Sequence, residues 1–150
     1  MARLFEYQGK QLLKKAKVPI PQGEVATTPQ EARKIAETIG KPVAIKSQVW
    51  AGGRGKAGGI KFAEHAIDAE IVANQMLGSE IKGLRVEKVL VEEKLAIDKE
   101  YYVGVIINPA REVRGPVIMF STEGGMDIES VPSDKIATMN VDVLQGFHIY

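Results

Sequence analysis

Five of the nine residues in Ala51-Gly-Gly-Arg-Gly-Lys-Ala-Gly-Gly59 are glycine. Glycine loses more conformational freedom on ordering than any other residue, so a run this dense does not belong in a helix or strand interior. It must be a loop. Pro42-Val-Ala-Ile-Lys-Ser-Gln-Val49 before it and Ile60-Lys-Phe62 after it are short β-prone runs, which predicts a strand, loop, strand unit. Bare backbone N–H groups approach an anion closely, and Arg54 and Lys56 add positive charge, which suits a loop closing over polyphosphate. No Gly-Lys-Ser/Thr triplet opens a helix here, and no Gly-x-Gly-x-x-Gly follows a strand, so neither the Walker loop nor the dinucleotide fingerprint applies. A mobile basic hairpin has the same local composition, and composition leaves both readings open.

The rest of the chain predicts a mixed α and β fold. Phe5, Gly9, Leu12, Leu13 and Ala16 recur at helical spacing among Lys10, Lys14, Lys15 and Lys17, which predicts an amphipathic helix over 4–16. Val18-Pro-Ile-Pro-Gln-Gly23 ends it. The next helix carries a full start signal, with Thr28 as cap, Pro29 at the first position and Glu31 reaching back. Ala32, Ile35, Ala36 and Ile39 are its expected buried stripe and Gly40 its stop. Ala69, Val72, Ala73 and Met76 predict a third helix, closed by Gly78, before an apolar strand at Val89-Leu-Val91. Strands are expected at Tyr101–Ile107 and Pro116–Ser121, joined by a hairpin turn over Asn108–Gly115. Glu123–Glu129 reads as loop, and Ser133–Tyr150 has only weak helical periodicity. The apolar, aromatic ending Phe147-His-Ile-Tyr150 suggests a fragment or a split domain, because free termini are more often polar.

Bulk properties narrow the function classes. A chain of 150 residues fits one domain or two small lobes with a core of its own. The 20 Lys and Arg stand against 19 Asp and Glu, which disfavours a nucleic-acid partner bound through phosphate contacts. There is no cysteine, so disulfides, thiolate nucleophiles and zinc–thiolate clusters are excluded. Glu6, Gln8 and Lys10 interrupt the apolar stretch a signal peptide needs, and no window approaches the ~18 apolar residues of a membrane span. The expected location is the cytoplasm or an organelle matrix.

Three charged positions stand out around the loop. Lys46 shares a strand face with Ala44 and opposes Ile45, so it is either a point charge for nucleotide phosphates or an edge-strand lysine that blocks aggregation. Val89-Leu-Val-Glu-Glu-Lys94 is an apolar strand ending in carboxylates, with Glu100 shortly after. A strand end offers backbone groups to an adenine edge and a carboxylate accepts hydrogen bonds from ribose hydroxyls; ordinary solvated acids are the competing reading. His65 and His148 are solitary, with no nucleophile partner and no metal-ligand spacing, and Trp50 beside the loop reads as packing beneath it or covering a base.

In order, Glu6-Tyr-Gln-Gly-Lys-Gln-Leu12, Pro19-Ile-Pro21, Lys46-Ser-Gln-Val49, Ala51–Gly59, Leu90-Val-Glu92, Lys99-Glu-Tyr-Tyr102 and Ser121-Thr-Glu-Gly-Gly125 resemble the β subunits of succinate-CoA ligases over nearly the whole chain. The resemblance implies an α+β ATP-grasp fold, its amino-terminal lobe plus the start of the second. It implies that Lys46, Gly53, Arg54, Gly55, Glu92, Leu95 and Glu100 bind ATP or ADP, Leu95 through a backbone that faces the base. It assigns no catalytic residue and no metal ligand to this chain. The implied reaction is reversible ligation of a carboxylate and CoA at the expense of ATP. Its partner is an α subunit that carries the phosphohistidine, so neither histidine here has that role. Mg2+ is expected in the full enzyme, with ligands beyond this chain, as are the carboxy-terminal domain and the dicarboxylate site. The isolated chain is therefore expected to have little or no turnover. Succinate is the expected acid, a related malate- or citrate-CoA ligase subunit the alternative, and a stand-alone nucleotide-binding module a third reading. Trp50 stands where relatives commonly have histidine, and Pro21 is of the type found in ADP-forming relatives, which favours ATP over GTP.

Overall fold

The computed structural model describes residues 3–108, 115–125 and 128–146. The chain forms two compact units, Met1–Ala96 and Ile97–Tyr150. In the first, helix α1 (Glu6–Lys15), strand β1 (Gly23–Ala26), helix α2 (Pro29–Ile39), strands β2 (Val43–Ser47) and β3 (Ile60–Ala63), and helix α3 (Ala66–Met76) are followed by a small hairpin of β4 (Glu80–Ile81) and β5 (Leu84–Arg85), then β6 (Val89–Glu93). The sheet order is β1-β6-β2-β3, with every pair antiparallel.

Register sorts the sheet into two chemically different faces. Ala44 pairs with Glu92 and Lys46 with Leu90, and residues directly opposite project to the same side. Val43, Ile45, Val89 and Val91 therefore point the other way, where all four are essentially inaccessible and pack with Ala26, Ala63 and the inner stripes of α2 and α3. Each such side chain contributes about 1.5–3 kcal/mol by leaving water. Ala32 and Ala36 of α2 and Ala69 and Ala73 of α3 are buried, and side chains this small let the two helices approach closely. Helix α1 has no fully buried residue.

The local signals behave as their chemistry requires. Thr28 Oγ1 accepts from the Glu31 N–H at 3.2 Å while Glu31 accepts from the Thr28 N–H at 3.3 Å, and Gly40 takes the left-handed conformation that ends α2. Helix α1 ends differently from the expected Pro-rich stop. Val18 N–H reaches Leu13 O and Lys17 N–H reaches Lys14 O, both at 3.0 Å, a Schellman motif with Lys17 forced to φ 61°. The solitary His65 caps the start of α3, its N–H donating to Asp68 at 3.2 Å.

The second unit has a three-stranded antiparallel sheet, β7 (Tyr102–Asn108), β8 (Gly115–Ser121) and β9 (Ala137–Asn140), in that order. Val117, Ser121 and Val131 are buried in it. Short 3-10 turns at Ile128–Ser130 and Ser133–Lys135 precede β9. Strand β9 corrects the weak helical reading of Ser133–Tyr150: Ala137–Asn140 pairs with β8, a partner that local periodicity does not reveal. The hairpin turn falls mainly on residues 109–114, and His148 on 147–150, all outside the described residues.

Candidate functional site

On the face of the sheet opposite the helical core, five charged side chains from four segments meet. Lys46 rises from β2 and Glu92 from β6; Glu6 and Lys10 come from α1, and Arg54 from the glycine-rich loop. Lys46 Nζ lies 2.5 Å from Glu92 Oε1 and 3.2 Å from Glu6 Oε1. Lys10 Nζ bonds the other Glu92 oxygen and sits 3.4 Å from Glu6. Arg54 extends one guanidinium nitrogen to Glu6 Oε2 at 2.5 Å and another to the Ser47 carbonyl. Three cations thus face two carboxylates, an excess of one positive charge.

This placement removes two of the plainer readings. Strand β2 lies between β6 and β3, so Lys46 is on an interior strand and has no edge to protect. Glu92 is 3% exposed, which no merely solvated acid would be. Burying a carboxylate is costly unless charge and hydrogen bonds compensate, and Glu92 has two ammonium partners. Burial raises the Glu6 carboxyl pKa, but the Arg54 hydrogen bond and the charges of Lys46, Arg54 and Lys10 outweigh it and lower it from 4.5 to about 2. Burial likewise lowers the Lys46 pKa, yet the hydrogen bond to Glu92 and the neighbouring carboxylates leave it raised.

The loop is a compact turn rather than a loose hairpin. Arg54 O accepts from the N–H groups of Ala57 at 3.1 Å and Gly59 at 2.8 Å, and Gly59 O accepts from Ser47 N–H at 2.8 Å. Gly59 must lack a side chain, because a Cβ there would lie 2.5 Å from Ser47 Oγ. That hydroxyl is fully buried and has no hydrogen-bond partner among the described residues. Gly53 and Gly55 flank Arg54, Gly53 at φ 63°, and Lys82 Nζ ties the loop's start at Gly52 O at 2.7 Å. Trp50 is not buried. It is half-exposed and stacks on Phe5, ring centroids 4.8 Å apart and planes 12° from parallel.

Two cavities flank the charge cluster. One, about 330 Å³, is lined by Leu4, Glu6, Trp50, Gly52 and Arg54. The other, about 430 Å³, is lined by Tyr7, Lys10, Pro21, Val25, Leu90 and Glu92. A larger cavity of about 1050 Å³ lies between β1 and α2, against Pro19, Ile35 and Ile39. It contains none of Lys46, Arg54 or Glu92, so chemistry rather than size locates the site.

Lys46, Arg54 and Glu92 are therefore brought together, with Gly53 and Gly55 beside them. Leu95 follows β6 with its side chain exposed. Glu100 belongs to the second unit, just before β7, where Gly124 and Gly125 make room for it: a Cβ on Gly125 would lie 2.1 Å from Glu100 Oε2. Lys99-Glu-Tyr-Tyr102 and Ser121-Thr-Glu-Gly-Gly125 are thus two halves of one local arrangement. Sequence reasoning missed the parts played by Glu6 and Lys10; their i, i+4 spacing on a helix was the available signal.

A glycine-rich turn bearing arginine thus stands beside a lysine on an interior strand of an antiparallel sheet. The ATP-grasp domain family matches residues 3–150. The chain belongs to the ATP-grasp domain family. The β subunit of the GDP-forming succinate-CoA ligase of Thermus thermophilus is 48% identical over 147 residues, covering 96% of this chain and 38% of that protein. The ADP-forming subunit β 1 from Archaeoglobus fulgidus is also 48% identical, over 151 residues, covering 99% of this chain and 39% of the relative. This ATP-grasp chain thus spans about two fifths of the length of the curated relatives it matches. Among solved structures, ATP citrate lyase from Methanothrix soehngenii, in complex with citrate and coenzyme A, superposes with a TM-score of 0.71 at 23% identity, covering 95% of this chain and 35% of the other. At that identity the likeness shows the ATP-grasp fold alone. No helix among the described residues is long and apolar enough to cross a membrane.

Proposed function

We propose that the chain is the nucleotide-binding part of an ADP-forming acyl-CoA ligase β subunit of the succinate-CoA ligase type. The observation that carries this reading is the charge cluster: Lys46 on an interior strand, Arg54 in a turn of bare backbone, and Glu92 buried beside them between two cavities. Lys46 and Arg54 hold the phosphates, and Gly53 and Gly55 bring backbone N–H groups to them. Glu92, Leu95 and Glu100 serve the nucleoside, the two carboxylates as acceptors for hydroxyl groups. The similarity to succinate-CoA ligase β subunits supports the acid–thiol ligase chemistry, with an α subunit, CoA and a dicarboxylate as partners of the whole assembly. ATP citrate lyase shares the fold at lower identity, which makes citrate activation the weaker alternative. Relatives named for ADP and for GDP are equally similar, so the choice of ATP rests on Pro21, which lines the cavity beside Glu92.

Among the described residues no group of three or more His, Asp or Glu is placed to hold a metal ion. The two carboxylates of the cluster, Glu6 and Glu92, are taken up by Lys10, Lys46 and Arg54, an arrangement that does not fit a resident Mg2+ site. Calorimetric titration with ADP, ATP, GDP and GTP, with and without magnesium, tests the reading. Adenine nucleotides should bind, and Lys46→Ala should weaken them at least about tenfold, because a charge-assisted phosphate contact is lost. Equal affinity in the parent and Lys46→Ala would refute the assignment. So would absence of binding.

A further inference from the structure

Three consecutive residues at the start of α1 each grip the segment that leads into the glycine-rich loop. The Phe5 ring stacks on Trp50, the Glu6 carboxylate bridges Lys46 and Arg54, and the Tyr7 N–H donates to Gln48 Oε1 at 3.2 Å. Beyond these contacts Lys10 ties α1 to Glu92 and Glu6, and no residue of the helix is fully buried. The carboxylate of Glu6 stands between the two cavities, lining one and bonded to the Lys10 and Lys46 that hold Glu92 at the other. A carboxylate bridging a lysine and an arginine uses the donors a phosphate oxygen would use.

We propose that Glu6 is an internal stand-in for a nucleotide phosphate, occupying Lys46 and Arg54 until a polyphosphate displaces it, so that this residue sets the chain's affinity for its anionic ligand. The proposal rests on the nucleotide-binding reading of the same site. Its chemistry is one of exchange. Glu6 satisfies two cations that would otherwise repel each other across a partly buried site, and a polyphosphate, carrying several negative charges, takes both and leaves Glu92 with Lys10. Phe5 and Tyr7 make the exchange conformational as well as electrostatic. The Phe5–Trp50 stack on one side and the Tyr7–Gln48 bond on the other hold the backbone at Glu6, so a withdrawal of the helix start with Glu6 would open both. Displacement should therefore register at Trp50, the only tryptophan in the chain.

The test follows ADP and inorganic tripolyphosphate binding to the 150-residue chain by calorimetry and by Trp50 fluorescence, with folding checked by circular dichroism. In the parent, either ligand should shift the Trp50 emission as the stack opens. Glu6→Gln removes the competing charge and should bind both ligands about tenfold more tightly, since a charge-assisted contact no longer has to be broken. Its unliganded emission should already resemble that of the liganded parent. Phe5→Ala leaves every charge in place while loosening the helix start, and it should also gain affinity, which keeps the proposal testable if Glu6→Gln folds poorly. Should Glu6→Gln and Phe5→Ala bind no better than the parent while Lys46→Ala loses binding, the stand-in role is overturned and the nucleotide reading survives. If neither ligand binds the parent or the two variants, both fall together.

Discussion

Gly23 faces Glu92 across the β1–β6 pair, and replacing it with alanine should damage the fold and the site together. A Cβ at that position would lie 2.5 Å from Glu92 Cβ, 2.6 Å from Val91 O and 2.7 Å from Glu92 Cα. Ordinary carbon contacts are about 3.5–4.0 Å, so β1 must withdraw by about 1 Å. Two of the three obstructing atoms are backbone, and no flexible side chain end can yield instead. A retreat of that size stretches the bonds nearest the clash, including Glu93 N–H to Gln22 O at 2.8 Å, beyond useful hydrogen-bond range. Overpacking of this kind costs about 1–3 kcal/mol, and weakening one or two backbone bonds adds about 1 kcal/mol each, so a loss of about 3 kcal/mol is expected. In a unit of this size each kcal/mol moves the midpoint by about 4–8 °C, which places the drop at about 12–24 °C. Thermal unfolding followed by circular dichroism measures it. Gly52→Ala is the control, because a Cβ there meets nothing within 4 Å, and its midpoint should stay within about 2 °C of the parent. A Gly23→Ala midpoint equally close to the parent would refute the steric argument.

Two further outcomes are expected. Glu6 has its pKa lowered from 4.5 to about 2 in the folded chain, so its contribution is complete above about pH 4.5 and is lost as the pH falls toward 2. Allowing for the fifth of the side chain left in water, the contribution is of order 2 kcal/mol; urea denaturation of the parent and Glu6→Gln should differ by that amount at pH 7 and converge near pH 2, and a constant difference would contradict the charge network. Lys17→Gly should gain about 1 kcal/mol against urea at pH 7, because lysine is held at φ 61° where glycine pays no steric cost, and a loss of stability would show that the lysine side chain compensates.

Much of the fold was legible where structure is decided locally. The Thr28, Pro29, Glu31 and Gly40 signals of α2 are all realised, because capping depends on neighbours in the chain. The strand, loop, strand unit around Ala51–Gly59 is realised as β2, the compact turn and β3. Strands β1 and β9 were illegible for the opposite reason. Gly23-Glu-Val-Ala26 has little intrinsic preference and becomes a strand by pairing with β6, more than sixty residues away. Ala137-Thr-Met-Asn140 does so against β8. In the candidate site, Lys46, Arg54 and Glu92 could be singled out because each is a charge in an apolar or glycine-rich setting. Glu6 and Lys10 offered only their i, i+4 spacing, which a solvated helix face shows equally. Only the tertiary approach of α1 to the sheet gives them partners.

That approach has a consequence for how the chain breathes. Because no residue of α1 is fully buried, its detachment from the sheet leaves the Val43, Ile45, Val89 and Val91 core on the opposite face intact. The free energy of opening this helix should therefore lie well below that of unfolding the sheet, as in an independent cooperative unit. Amide hydrogens of α1 should exchange with solvent deuterium long before those of β2 and β6. A limited protease should also find its first cut within α1 or the Pro19–Pro21 connection that follows.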